Sequence, residues 1–312
     1  MSAIKLGSRA IIGEFFKTLD VDASNGWVEP LSMLFTSDQD SETYEWIGQS
    51  PAMREWVGGR NAKGFTGNGL TITNKHYEAT LDVLLRELRR DKTGQVMVRI
   101  RELAMRTNSH WASLLSTLIT DGESTNAYDG QFFFDTDHSE GDSGSQDNDI
   151  TVDISALPVA TAGTTTAPSV EEMQQSILKG VAQILSFKDN QGEPMNENGQ
   201  KFLVMVPVAL HYVAMNAITS PRGTGLTEQL PVGLDVTVVS NPRLTWTDKF
   251  AVFRMDGSMS PFIRQQETEV VIKAKAEGSE YEFDNDAHQY GVDTWRNVGY
   301  GYWQYACLVT MI

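Results

Sequence analysis

Asp135, Asp137 and His138 stand within four residues of one another in "AYDGQFFFDTDHSEGDSGSQDND", residues 127 to 149. Carboxylate oxygens and an imidazole nitrogen at that spacing suit zinc, manganese or iron. The chemistry they would support is metal-dependent hydrolysis. Two features argue against it. No second cluster supplies a fourth ligand, and the segment lacks the glycine and bidentate glutamate that a calcium loop needs at fixed offsets. The competing reading is an acidic surface loop anchored by Phe132, Phe133 and Phe134, and it is the default.

Other candidate chemistries are weaker. In "GGRNAKGFTGNG", residues 58 to 69, five of twelve residues are glycine. The run has neither the spacing of a phosphate loop nor the strand-to-helix setting of a dinucleotide fingerprint. It reads as a long hairpin, where glycine allows the chain to turn. Cys307 lies in an apolar run and reads as buried and inert, and no nucleophile elbow is present. His76, His110, His138, His211 and His288 are scattered, and His110, beside Trp111, reads as a packing residue. The expectation is a protein that is no enzyme and holds no cofactor or metal.

The elements that must position these residues come next. Ile4, Ile11, Phe15 and Leu19 recur at helical spacing, as an amphipathic N-terminal helix would have them. Leu70, Ile72, Tyr77, Ala79, Leu81 and Val83 alternate like strand residues. Residues 94 to 120 carry the longest helical pattern, with Val96, Ile100, Leu103, Thr107, Trp111, Leu114 and Leu118 on one stripe. Asp121 and Gly122 end it. Residues 150 to 168 read as a connector. Ser169 and Glu172 then stand in capping-box register before a helix that buries Val170, Met173, Ile177, Val181 and Ile184. "FLVMVP", 202 to 207, reads as a buried strand followed by a helix. "LDVTVVSNP", "KFAVFRMDG" and "TEVVIKAKAEG" read as a mainly antiparallel run of strands. The aromatic segment 288 to 312 reads as a strand pair in a packed sheet. The fold class is α+β.

An apolar fraction of 40% fits a globular protein with a real core, and the formal charge is −16. That charge argues against a generic nucleic-acid binder and suggests subunits that repel one another until something draws them together. No run of residues is long and apolar enough to span a membrane, and Glu14 interrupts the N-terminal apolar stretch. The single cysteine fits a reducing compartment. A soluble chain made in a host cytoplasm is expected. Long polar loops, 188 to 201 and 219 to 233 among them, suggest a surface meant to be buried by copies of itself.

Three blocks together resemble the major head subunit family of phage Mu and Mu-like prophages. They are "YEWIGQSPAMREWVGGR" (44 to 60), "YDGQFFFDTDH" (128 to 138) and "YGVDTWRNVGYGYWQYA" (290 to 306), in family order. The resemblance implies the Hong Kong 97-type capsid fold. It would divide the chain into an N-terminal arm (1–40), an extended loop with flanking strands (41–90), and a peripheral domain with spine helix and connector (91–168). An axial domain (169–250) and C-terminal strands returning to the peripheral domain (251–312) would follow. The implied function is self-assembly into pentamers and hexamers of an icosahedral virion shell around double-stranded DNA, held without sequence-specific contacts. Trp56, Arg60, Lys63, Phe65 and Arg222 are the expected intersubunit contacts. The N-terminus lacks the long charged extension some relatives use as a built-in scaffold, so a separate scaffolding protein is expected, with a maturation protease. Lys63 and Lys75 lie near the proposed hairpin with no activating carboxylate in sight, so lysine–asparagine cross-linking is not expected. The alternatives are an encapsulin-like compartment, a minor virion protein, and the hydrolase built on Asp135, Asp137 and His138.

Overall fold

The computed structural model describes residues 7–21, 26–45, 69–90, 94–219 and 233–312. In chain order its elements are α1 (Ser8–Val21), α2 (Val28–Leu31), β1 (Ser32–Thr36), β2 (Ser41–Glu45), β3 (Gly69–Thr73), β4 (Lys75–Leu84), α3 (Leu85–Arg90), α4 (Gln95–Thr120) and β5 (Asp149–Val152). After these come α5 (Val170–Ser186), β6 (Lys201–Val206), α6 (Val208–Thr219), β7 (Asp235–Ser240), β8 (Lys249–Arg254), β9 (Phe262–Lys275), α7 (Glu280–Asn285), β10 (Ala287–Tyr300) and β11 (Ala306–Met311). The class is α+β, as the periodicities require.

The 26 residues of α4 span about 39 Å at 1.5 Å per residue. Its first half buries Val96, Ile100 and Ala104 with Ile11 and Phe15 of α1 and with Val83, Tyr290 and Val292. Its second half buries Ala112, Leu115 and Ile119 in a separate, larger core with Phe133, Phe134, α5, α6 and the strands β6, β8 and β11. The expected stripe holds at Val96, Ile100 and Thr107. The rest of the buried line runs through Ala104, Ala112, Leu115, Ser116 and Ile119, and Leu103, Trp111, Leu114 and Leu118 flank it, half-buried. Small side chains occupy the closest approach because they let the helix backbone near its neighbours. The bulky ones fill the sides.

Two main sheets flank this helix. The first has the order β1-β9-β10-β4, with β1 parallel to β9 and the other pairs antiparallel. The second has the order β5-β11-β8-β6-β7, in which β5 runs parallel to β11 and β7 parallel to β6. A short antiparallel ladder joins β2 to β3, from Ser41↔Thr73 to Glu45↔Gly69.

Three expectations need correction. Residues 150 to 168 are not all connector, because β5 begins them and adds an edge to the second sheet. "LDVTVVSNP" is a strand, but it pairs parallel to β6 after a helical crossover through α6. The aromatic C-terminal strands do not pair with each other: β10 belongs to the first sheet and β11 to the second. The switch occurs at Gly301, whose amide donates to the carbonyl of Pro261 at 2.6 Å. A Cβ at Gly301 would collide with the backbone of Ser260 and Pro261, so only glycine lets the chain pass between sheets there.

The capping box at the start of α5 is present. Ser169 Oγ accepts from the Glu172 amide at 3.2 Å, and the Ser169 amide donates to Glu172 Oε2 at 2.7 Å. Met173, Ile177, Val181 and Ile184 are buried, and Val170 is half-buried at the rim. Gly180 sets how closely α5 approaches the second sheet. A Cβ there would stand 2.9 Å from Val252 Cγ2 and 3.0 Å from Val309 Cγ2. Gly180→Val should therefore overpack this contact and destabilise the protein by about 1–3 kcal/mol, read as a fall in the urea unfolding midpoint at unchanged slope.

Candidate functional site

The acidic stretch is a loop anchored in the core, with Asp137 and Asp142 left at the surface. Phe133 and Phe134 are fully buried while Phe132 stays exposed. Phe133 stacks on Tyr300 at 4.5 Å between centroids and lies 5.3 Å from Phe262. Asn148, fully buried, holds the loop shut: its Oδ1 accepts from the Asp135 amide at 2.8 Å and its Nδ2 donates to the Phe133 carbonyl at 2.8 Å. Asn126 bridges Phe132 and His138 bridges Gln146. These interactions fold the segment back between the two sheets.

The three residues expected as metal-ligand candidates point to different partners. Asp135 accepts from the amides of Phe132 and Thr136 at 3.1 and 2.7 Å. Asp137 accepts from Gln131 Nε2 at 3.0 Å. His138 is completely buried, pairs through Nδ1 with Asp129 Oδ2 at 2.6 Å, and stacks on the Trp303 indole at 4.0 Å and 9°. Each residue is committed to fixing the loop, so they do not form one ligand set. Among the described residues no cluster of three or more histidines, cysteines and carboxylates is placed to hold a metal.

Beside this pair lies a buried polar cluster that the spacing did not reveal. Glu140 Oε1 accepts from the Tyr128 hydroxyl, from Trp303 Nε1 at 3.3 Å and from Gln304 Nε2 at 3.1 Å. Burial pushes the Glu140 carboxyl up, against the pull of these donors. Burial and the adjacent Glu140 charge push the Tyr128 hydroxyl well above its ordinary value. Asn196 ties the same turn down by donating to the carbonyls of Ile184 and Gln304, each at 2.7 Å, and it accepts from Arg254 Nη1 at 2.8 Å. Tyr128 and Glu140 both sit in the quoted stretch. Trp303 and Gln304 sit in the aromatic C-terminal block, so only folding joins them.

Other singled-out residues also become structural. Cys307 is buried, and burial holds its thiol well above the usual range. His110 packs edge-on against Tyr77 at 4.4 Å, and burial, with Arg296 and Arg243 nearby, lowers its pKa to about 4. Arg296 lies over the Trp111 ring at 4.7 Å and donates to the Thr107 carbonyl at 2.9 Å. Trp56, Arg60, Lys63, Phe65 and Arg222 lie outside the described residues. The surface that does stand out is α6. Its sequence, "VALHYVAMNAIT", has no charged residue, and it exposes Val208 by 59% and Tyr212 by 80%. Separately, a cleft of about 850 Å³ opens along β7 between Trp27, Pro30, Val239 and Arg243.

Comparison with known proteins places these features. The family model described as Mu-like prophage major head subunit gpT matches residues 8–156 and 229–311. The Mu-like prophage FluMu major head subunit of Haemophilus influenzae is 32% identical over 129 residues, 41% of this chain and 42% of that protein. The major capsid protein of Escherichia phage Mu is 32% identical over 108 residues, 35% of each chain. The aligned stretches thus span less than half the length of these relatives. Among solved structures, the bacteriophage JBD30 procapsid matches 97% of this chain and 73% of its own at a TM-score of 0.57 and 21% identity. The capsid of cyanophage P-SCSP1u matches 91% and 87% at 0.56 and 11% identity. A virus-like particle from Pyrococcus furiosus matches 95% and 96% at 0.51 and 9% identity. At such identities the likeness establishes the fold, which is the Hong Kong 97 type expected from the sequence.

One titration follows from the acidic loop. Burial first, and then the Glu123 charge, raise Asp149 from 3.8 to about 6. A carboxyl raised in the folded state contributes stability that is full below its unfolded value and lost as pH rises through about 6. Asp149→Asn is expected to equal the parent in acid and to exceed it above that pH by on the order of 1 kcal/mol, after solvent screening. Urea unfolding on either side of pH 6 checks it.

Proposed function

The chain belongs to the Mu-like prophage major head subunit family, and from that premise we propose that it is the shell-forming capsid subunit of a Mu-like phage or prophage. Pentamers and hexamers of it close into an icosahedral head around double-stranded DNA. The observation that carries the reading is the family match, which covers both blocks that meet at Glu140. The shared fold supports it.

The segments take the following roles in the proposed shell. Residues 1–40 form the arm, and residues 41–90 form the extended loop and its flanking strands, with the β2–β3 ladder as the base of a hairpin. Residues 91–168 form the peripheral domain with α4 as its spine, and 169–250 the axial domain. Residues 251–312 complete both sheets, since β9 and β10 join the first while β8 and β11 join the second. Trp56, Arg60, Lys63, Phe65 and Arg222 make intersubunit contacts, and the exposed apolar side of α6 is added to them here. A separate scaffolding protein guides assembly and a protease acts in maturation. The mature location is the virion.

Such a shell needs heterologous contacts that close on a rotation axis. Many weak contacts acting together hold it, so avidity outweighs any one interface. The charge of −16 keeps free subunits apart, and salt eases their approach. An uncharged helix such as α6 is then the surface on which neighbours meet without repulsion.

Electron microscopy with mass photometry tests the reading across salt and concentration, with a candidate scaffold co-expressed where subunits stay single. Closed shells, or rings of five or six subunits, are expected. A strict monomer under every condition, scaffold included, would falsify it. Tyr212→Asp should leave the subunit folded and cut ring and shell yield at least about tenfold, because a charge would be desolvated in each contact.

A further inference from the structure

Charge is not spread evenly along the chain. Between Leu85 and Arg106 seven cations face three acids, a net of +4 in a protein of net −16. After Arg106 no lysine or arginine occurs until Lys179, while twelve aspartates and glutamates fall between them. The fold turns this linear segregation into a surface. α1 lies along α4 in parallel, with Glu14 paired to Arg101 and Asn108 Nδ2 donating to the Leu19 carbonyl at 2.8 Å. α3 is tied in by Glu87 and Arg99 at 3.7 Å. The apolar sides of all three helices cover one face of the first sheet, over Val83, Tyr290 and Val292.

Their outward sides carry the charge. Arg99, Arg101 and Arg106 are offset by Glu87, Glu14 and Glu102. Arg9, Lys17, Arg86, Arg89 and Arg90 are exposed and make no ion pair among the described residues. The opposite face of the same sheet is different. There Lys273 pairs with Asp293, Lys275 lies over the Tyr281 ring, and Glu78 and Asp82 stand on β4 opposite Asp293 and Gln289. Asp20 of α1 is exposed too, yet the three helices carry eight cations against four acids, so the helix-covered side is the basic one.

We propose that the face built by α1, α3 and the first half of α4 is the inner wall of the shell, and that it takes the phosphate backbone of the enclosed double-stranded DNA. This rests on the shell reading above. Free guanidinium and ammonium groups replace condensed counterions on the duplex, an interaction that carries no sequence information. Four of the five free cations are arginines, whose planar fork suits phosphate oxygens. Val98 and Met105 are exposed between the two basic flanks, so an acidic protein segment with apolar side chains is the competing occupant.

The test uses the full-length subunit, unassembled and as closed shells, with short random-sequence DNA duplexes over a salt series. Unassembled subunits should bind, with affinity falling steeply as salt rises. The combined variant R86Q/R89Q/R90Q should give a log–log salt slope shallower by about 2.7, since each phosphate that a cation neutralises adds about 0.9 to that slope. K273Q/K275Q, on the opposite face, should bind like the parent, and closed shells should not take up added duplex. Unchanged binding by the triple variant overturns the proposal. So does binding that survives high salt, which points to the protein segment, or binding by closed shells as tight as by free subunits. Shells that close while the triple variant binds DNA normally sink this inference alone. A chain that never closes into shells sinks the functional reading beneath it.

Discussion

One helix belongs to two cores. The first half of α4 completes the cluster under the first sheet, and its second half completes the cluster beneath the second. Two apolar cores joined by exposed linker would move against each other as separate domains do. A continuous hydrogen-bonded rod sunk into both removes that freedom, because bending it breaks backbone bonds in mid-helix. Several other connections are built on it. α1 and α3 lie against its first half, Arg296 spans from β10 to its middle at Thr107 and Trp111, and Asn241 reaches its second half by donating to Ser116 Oγ at 2.9 Å.

The junction between the sheets is sealed by polar contacts as well as by the Phe133, Phe253, Phe262 and Tyr300 rings. Glu140 is surrounded by three donors, His138 is paired and stacked, and Asn148 and Asn196 each satisfy backbone groups from two directions. Buried polar groups are costly unless their bonds are made, and the bonds have direction. Apolar packing would tolerate a sliding loop. This cluster admits one position of the 127–148 segment against the turn at Trp303. That is the physical content of a segment that resembles a metal site in sequence: the carboxylates and imidazole are there for geometry.

Much of the fold was legible because it is local. The Ser169–Glu172 capping box, the period of α4 and the apolar run of β6 each carry their signal within a few residues. What was missed is long-range. β10 and β11 look like a hairpin pair because both are aromatic and adjacent, and nothing in composition marks Gly301 as the point where the chain leaves one sheet for the other. β5 is too short to stand out in a threonine-rich stretch, and it is a strand only because β11 lies beside it. The Glu140 cluster was invisible for the same reason, since its donors come from positions 128, 303 and 304. The three family-like blocks pointed to the right fold without these details. The first of them, from Tyr44 onward, meets the described structure at Tyr44, whose hydroxyl donates to Gln265 Oε1 at 2.9 Å.

The order of the second sheet also bears on how the chain is made. β11 follows every other strand of that sheet in the sequence, yet it sits inside the sheet, between β5 and β8. On the ribosome, synthesis runs from the N-terminus, so β5 emerges early and has no partner until the final strand is released. The sheet stays open until β11 is made and closes in one non-local step of the kind that is slow. A chain cut short before β11 keeps a gap between β5 and β8 and an unpaired β5. It cannot present a finished subunit, so only chains translated through β11 reach the state in which a neighbour has something to bind.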